Sequence, residues 1–63
     1  MKLFCVSSTI GVFDEGNYYA AEYKGGEQFV VMDNTANRWG ACYDDRTGLI
    51  YTESVNGDFM EFE

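Results

Sequence analysis

The fold is decided by the central stretch of the chain, residues 28–53, which reads QFVVMDNTANRWGACYDDRTGLIYTE. Its β-branched and aromatic residues fall into three short runs, Gln28–Met32, Arg38–Tyr43 and Leu49–Glu53. Such residues favour a pleated, half-buried surface. The segments between the runs, Asp33–Asn37 and Asp44–Gly48, are rich in turn formers. The stretch therefore predicts three antiparallel strands joined by two hairpin turns.

The same pattern continues outward on both sides. Three further β-prone runs are Lys2–Val6, Tyr18–Tyr23 and Phe59–Phe62, and the polar, glycine-containing segment Ser7–Gly16 separates the first two. No segment keeps a continuous apolar stripe at helical spacing. We therefore predict an all-β protein, with one domain over residues 1–63 that forms a single small barrel of five to six short antiparallel strands.

The composition excludes several functional classes. The 63 residues include 11 acidic and 4 basic ones, which gives a net charge of −7 at pH 7, and there is no histidine. This charge disfavours direct binding to nucleic-acid phosphates or anionic membranes. Without histidine and with only two cysteines, the chain lacks the commonest catalytic base and the ligands of a closed Cys/His zinc site. We therefore expect a non-enzymatic protein without a cofactor or metal ion.

The cysteines and the N-terminal residues bear on cellular location. Cys5 and Cys42 are far apart in the sequence and do not form the pattern of a disulfide framework. They either pair or stay reduced, and we favour two reduced thiols, as is usual in a reducing compartment. The apolar run Leu3–Val6 is too short for a signal peptide or a membrane span. The prediction is a cytoplasmic protein.

A recognisable pattern surrounds the single tryptophan. Arg38-Trp39-Gly40-Ala41 is followed by Gly48-Leu49-Ile50 and then by Val55. This order resembles the SH3 family, in which a Trp and a small residue precede the distal hairpin, a Gly-x-Ile sequence and an aliphatic residue. The resemblance implies an SH3-like barrel with a long RT loop over residues 6–26 and a short 3₁₀ turn over residues 52–56.

The ligand-binding residues of SH3 domains are not all present. Tyr51 stands where domains that bind PxxP ligands have proline, Ser54 stands where they have a tyrosine, and no Ala-Leu-Tyr-Asp-Tyr-like motif follows Val6. Those residues form the grooves for a polyproline helix, so the departures argue against ordinary polyproline recognition. The chain is also similar to small SH3-like proteins of bacteriophages, in Glu15-Gly16-Asn17-Tyr18-Tyr19, Asp33-Asn34 and the late Phe59.

The acidic residues are concentrated toward the C-terminus. Residues 44–63 contain six acids and one base, whereas residues 1–43 contain five acids and three bases. A concentrated negative face steers association with a basic protein surface and imitates the phosphates of nucleic acid. Simple solubility is the alternative explanation.

These observations predict a partner-binding surface made of acids and aromatic side chains. The acids pair with Arg or Lys of the partner, and the aromatics supply the desolvated centre. The predicted partner-binding residues are Asp14, Glu15, Trp39, Asp44, Asp45 and Tyr51. For the tryptophan and the tyrosine, a place in the barrel core or wall is the alternative.

The leading functional hypothesis is a bacteriophage-type accessory protein in the host cytoplasm. It binds a host protein with a basic surface and inhibits or modulates that protein, which itself handles nucleic acid. We expect a monomer or weak homodimer that contacts neither nucleic acid nor membrane directly. The alternatives are a modified SH3-type peptide-recognition module, suggested by Trp39 and Asp14-Glu15, and a structural component of a phage assembly.

Overall fold

The computed structural model describes all 63 residues and is all-β. Its strands are β1 (Lys2–Ser8), β2 (Tyr18–Gly25), β3 (Gln28–Met32), β4 (Arg38–Asp44), β5 (Leu49–Glu53) and β6 (Phe59–Phe62). Each strand pairs antiparallel with the next, and β6 returns to pair with β1, so the six strands close into a barrel. The predicted all-β barrel is confirmed. The structure contains no helix with the length and apolar character needed to cross a membrane.

Three strands are longer than predicted, β4 by one residue and β1 and β2 by two each. The length of β1 and β2 lets the barrel close. The first half of β2, at Tyr18–Ala20, pairs with β1, and its second half, beginning at Ala21, pairs with β3. A bulge in β1 between Cys5 and Ser7 shifts the register against β6. Bulges bend a strand and increase its twist. Each of these strands therefore contacts both of its neighbours within a very short sheet.

The 3₁₀ turn that the SH3 resemblance implies over residues 52–56 is not formed. Strand β5 instead continues through Glu53, which pairs directly with Phe59 of β6. The turn between them is closed by Ser54, whose Oγ accepts hydrogen bonds from the backbone N–H groups of Asn56 and Asp58, each at 3.1 Å. A hydroxyl that bonds to nearby backbone in this way favours a tight turn over a helical one.

The core consists of inward-facing strand residues and one side chain from a loop. The buried apolar residues are Leu3, Cys5, Phe13, Tyr19, Ala21, Val31, Ala41, Ile50, Met60 and Phe62. Phe13 lies in the β1–β2 loop, in the segment that the sequence pattern indicated as polar, yet it is only 1% exposed. Its ring packs edge-on against Tyr19, Trp39 and Phe62, with ring centroids 5.0, 5.6 and 5.2 Å away. The loop therefore plugs the barrel.

The up-and-down order of the strands divides the loops between two ends. The β1–β2, β3–β4 and β5–β6 loops share the end that Phe13 plugs, here called the plugged end. They are joined there by hydrogen bonds, including that from Asn34 N–H to the Val12 carbonyl at 3.0 Å. The β2–β3 turn and the β4–β5 hairpin, residues 45–48, lie at the opposite end with both chain termini.

Candidate functional site

An open groove lies on the outside of the barrel, over strands β4, β5 and β6. In β5, Ile50 and Thr52 are buried, so the alternating side chains of Tyr51 and Glu53 point outward. The groove has a volume of about 400 Å³. Its lining residues are Glu27, Tyr43, Asp44, Asp45, Arg46, Tyr51, Glu53 and Phe59. Three of the predicted partner-binding residues, Asp44, Asp45 and Tyr51, are therefore brought together.

Two aromatic rings form the apolar part of this groove. The rings of Tyr51 and Phe59 stack with their centroids 5.9 Å apart and an interplanar angle of 22°. Phe59 is paired with Glu53, the outward-facing residue after Tyr51, so the two rings are diagonal neighbours on adjacent strands. Phe59 is 38% exposed. The groove therefore offers stacked aromatic surface next to carboxylates.

The charges of the groove are unequal in sign. It is lined by four acids, Glu27, Asp44, Asp45 and Glu53, and by one base, Arg46. The Arg46 Nε lies 3.3 Å from Asp44 Oδ1. Hydrogen bonds from the Arg46 side chain and backbone lower the pKa of the Asp44 carboxyl, so Asp44 is ionised at neutral pH. The other ion pairs join Glu22 to Lys24 and Arg38, which leaves three groove acids without a basic partner.

Trp39 lies near the plugged end and is tied to a buried carboxylate. Its indole Nε1–H donates to Asp33 Oδ2 at 2.9 Å, and its ring packs against Phe13. Asp33 Oδ1 accepts hydrogen bonds from the backbone N–H groups of Thr35 and Asn37 at 2.8 and 3.0 Å. Asp33 therefore organises the β3–β4 loop and fixes the orientation of the indole.

The ionisation of Asp33 follows from these contacts. Burial raises the pKa of its carboxyl, but hydrogen bonds outweigh this effect and lower the pKa to about 2. The donors are the Trp39 indole, the Thr35 hydroxyl and the backbone N–H groups of Thr35 and Asn37. The sequence pattern gave Asp33 only the role of a turn former. A single aspartate in a turn does not indicate that its side chain is buried against another residue. The alternating pattern predicted only that Trp39 lies on one face of a strand.

The acidic pair of the β1–β2 loop also lies at the plugged end. Asp14 Oδ2 accepts a hydrogen bond from Asn34 Nδ2 at 2.9 Å, and Asp14 N–H donates to the Tyr19 hydroxyl oxygen at 2.6 Å. Glu15 Oε2 accepts from Ser8 N–H at 3.0 Å. Both side chains are exposed, but their contacts within the loop give each of them a structural role.

The six predicted partner-binding residues thus fall into two separate groups. Asp14, Glu15 and Trp39 lie near the plugged end, whereas Asp44, Asp45 and Tyr51 line the groove that begins at the opposite end. Trp39 and Asp44 are five positions apart on the extended strand β4, which corresponds to about 16 Å. Glu27, Glu53 and Phe59 were not predicted. Glu27 and Phe59 reach the groove only through the order of the strands, whereas Glu53 lies two residues after Tyr51 on the same outward face of β5.

Nucleophilic and metal-binding groups are few. Both cysteines are free, and Cys5 is fully buried. Burial, followed by the charges of Glu15 and Asp14, raises the pKa of the Cys5 thiol, which keeps it protonated and unreactive. No group of three or more His, Cys, Asp or Glu side chains is placed to hold a metal ion.

The fold and groove define a small closed antiparallel β-barrel with an acidic and aromatic outer surface. In comparisons with known proteins, no family model, no curated protein and no solved structure matches this chain.

Proposed function

We propose that this protein is a non-enzymatic binding module that uses the β4–β6 groove to bind a basic surface on a partner protein. The single observation that carries the proposal is the groove itself, in which stacked Tyr51 and Phe59 lie beside four acids and one base. Aromatic surface supplies contact area with little loss of conformational entropy, and the acids supply electrostatic steering and orientation.

The unpaired carboxylates of the groove indicate which kind of partner surface it binds, namely a basic one. Glu27, Asp45 and Glu53 have no basic partner within the chain, so their combined field is uncompensated except near Arg46. A Lys- or Arg-bearing surface gains favourable charge pairing there, whereas a phosphate backbone is repelled. Proteins that handle nucleic acid carry such basic surfaces. We propose further that the partner is a host nucleic-acid-handling protein in the cytoplasm, which this chain inhibits or modulates as a phage-type accessory protein; the charge of the groove supports the basic surface of the partner.

The SH3-like relationship belongs to the same proposal. A long loop between β1 and β2 and the β2–β3–β4 meander support it, whereas the direct pairing of β5 with β6 is a departure. A peptide-recognition module is the second candidate, because a partly exposed stack such as Tyr51–Phe59 accommodates an extended peptide. Trp39 is a poor centre for that function, since its only hydrogen-bond donor is already used by Asp33.

The test is a titration of the ¹⁵N-labelled protein with a defined arginine-glycine repeat peptide, followed by NMR at low and physiological salt. We expect amide shifts concentrated at residues 43–46, 51–53 and 59, and an affinity that falls as salt rises. Asp45→Lys should weaken binding strongly.

The matched control is Glu15→Lys, which changes the net charge by the same amount but lies in the β1–β2 loop. It should weaken binding only slightly. Equal losses in both variants would mean that net charge alone attracts the peptide, and would refute a groove-specific function. A larger loss in Glu15→Lys would move the binding surface to the plugged end.

A further inference from the structure

Within the groove, Arg46 makes an unusual contact with the most covered acid. Its Nε and Nη2 lie 3.3 and 3.4 Å from the two carboxylate oxygens of Asp44, in a fork-like arrangement with long distances. The Arg46 side chain is 87% exposed and the Asp44 side chain only 20%. An exposed guanidinium, held by long hydrogen bonds, therefore lies on a largely covered carboxylate.

The turn does not depend on this side-chain contact. The backbone N–H of Arg46 donates to Asp44 Oδ1 at 2.9 Å, and Gly48 N–H donates to the Asp44 carbonyl at 2.8 Å. These two bonds hold the hairpin whether or not the guanidinium is in place. The side chain can therefore swing away while the loop keeps its conformation.

A second arginine of the chain provides a comparison. Arg38 Nη2 lies 2.6 Å from Glu22 Oε1, which is a short, charge-assisted hydrogen bond. That pair lies on strands β2 and β4, at the end of β4 remote from Asp44, and does not line the groove. Of the two arginine pairs, the loosely held one is thus the pair inside the proposed binding groove.

We infer that Arg46 is a built-in competitor, which occupies the guanidinium position of the groove in the free protein and is displaced when a partner's arginine binds to Asp44. The inference rests on the proposed function and names the partner group. Planar guanidinium pairs with a carboxylate through two parallel hydrogen bonds and stacks on aromatic faces, such as those of Tyr51 and Phe59. A lysine ammonium does neither in the same way, so the groove should prefer arginine.

The test compares Arg46→Ala with Arg38→Ala, two variants with the same net charge. Affinity for the arginine-glycine peptide is measured by calorimetry at physiological salt. Removal of the competitor should raise the affinity of Arg46→Ala about two- to fivefold, the range expected for release of an exposed ion pair. Arg38→Ala should change affinity less than about 1.5-fold, because its distance from Asp44 exceeds the Debye length.

Two further readouts separate competition from bulk charge. In the free wild-type protein, the NMR chemical shift of the Arg46 Nε–H proton should be that of a hydrogen-bonded proton. When the peptide binds, this chemical shift should move to the value of a solvent-exposed guanidinium. A lysine-glycine peptide of equal charge should bind more weakly to wild type. If lysine and arginine peptides bind equally, guanidinium selection is refuted.

The outcomes also distinguish this inference from the proposed function. If wild type binds the peptide in the groove but Arg46→Ala gains no more affinity than Arg38→Ala, the competitor role of Arg46 is overturned and the binding function stands. Weaker binding by Arg46→Ala would make Arg46 a binding residue instead. If wild type shows no groove-localised binding at all, both ideas fail.

Discussion

The replacement of Phe13 by leucine tests whether the β1–β2 loop is part of the core. Phe13 is 1% exposed and contacts three aromatic rings edge-on. Complete truncation of a buried Phe to Ala costs about 3–5 kcal/mol. A domain of this length has a total stability of only about 3–9 kcal/mol. Phe13→Ala is therefore expected to leave much of the protein unfolded, which makes leucine the more informative substitution.

Phe13→Leu keeps most of the buried volume but loses the edge-to-face contacts. Each such aromatic contact contributes about 0.5–1.5 kcal/mol beyond its area, and repacking recovers part of this, so we expect a loss of about 1–2 kcal/mol. The assay is urea unfolding followed by the fluorescence of Trp39, whose ring contacts Phe13. The matched control is Tyr18→Leu, since Tyr18 is 67% exposed and should lose less than about 1 kcal/mol.

If Phe13→Leu and Tyr18→Leu lower the free energy of unfolding equally, the loop does not plug the barrel in solution. A loss above 1 kcal/mol for Phe13→Leu alone would instead show that the loop folds with the strands as one cooperative unit. The slope of the unfolding free energy against urea should stay unchanged in both variants, because the surface exposed on unfolding is the same.

Three further predictions concern the polar groups and backbone of the barrel. The pKa of Asp33 is lowered to about 2 in the folded state, so its contribution to stability is present above the unfolded pKa of about 3.9 and is lost as pH falls toward 2. In Asp33→Asn, the urea midpoint measured from pH 5 to pH 2 should therefore decline less steeply than in wild type. An equally steep decline would contradict this role of Asp33. Thr52→Val should cost about 0.5–1.5 kcal/mol in urea unfolding, because the buried Thr52 hydroxyl donates to the Gly40 carbonyl at 2.6 Å, and an unchanged midpoint would show that this bond contributes nothing. Ala36 has a φ of 64°, a left-handed conformation that disfavours a Cβ, so Ala36→Gly should raise or leave unchanged the thermal midpoint, and a clear fall would contradict the strain.

The strands were predictable because their signal is local. Runs such as Gln28–Met32 and Leu49–Glu53 combine β-branched and aromatic residues between turn formers, and the structure forms strands with those bounds. Phe13 was missed because one aromatic residue within a polar loop has no periodicity. Only the closed barrel leaves a space that this side chain fills.

The candidate site was predictable in part, for the same reason. Asp44 and Asp45 are sequence neighbours, and Tyr51 pairs with Cys42 in the same hairpin, two positions before Asp44, so local pairing is enough to bring them together. Glu27 arrives from a different hairpin, and Phe59 arrives through the pairing of β5 with β6. Those two positions depend on strand order, which the sequence pattern does not specify.

The pairing of β1 with β6 means that each end of the chain stabilises the other. Phe4 and Glu63 exchange two backbone hydrogen bonds, each of 2.9 Å, and the final strand has only four residues. Removal of a few C-terminal residues by a protease would therefore eliminate strand β6 and open the barrel. Both β1 and β5 would then carry a row of unsatisfied backbone groups, and two trimmed copies would satisfy them by exchanging strands.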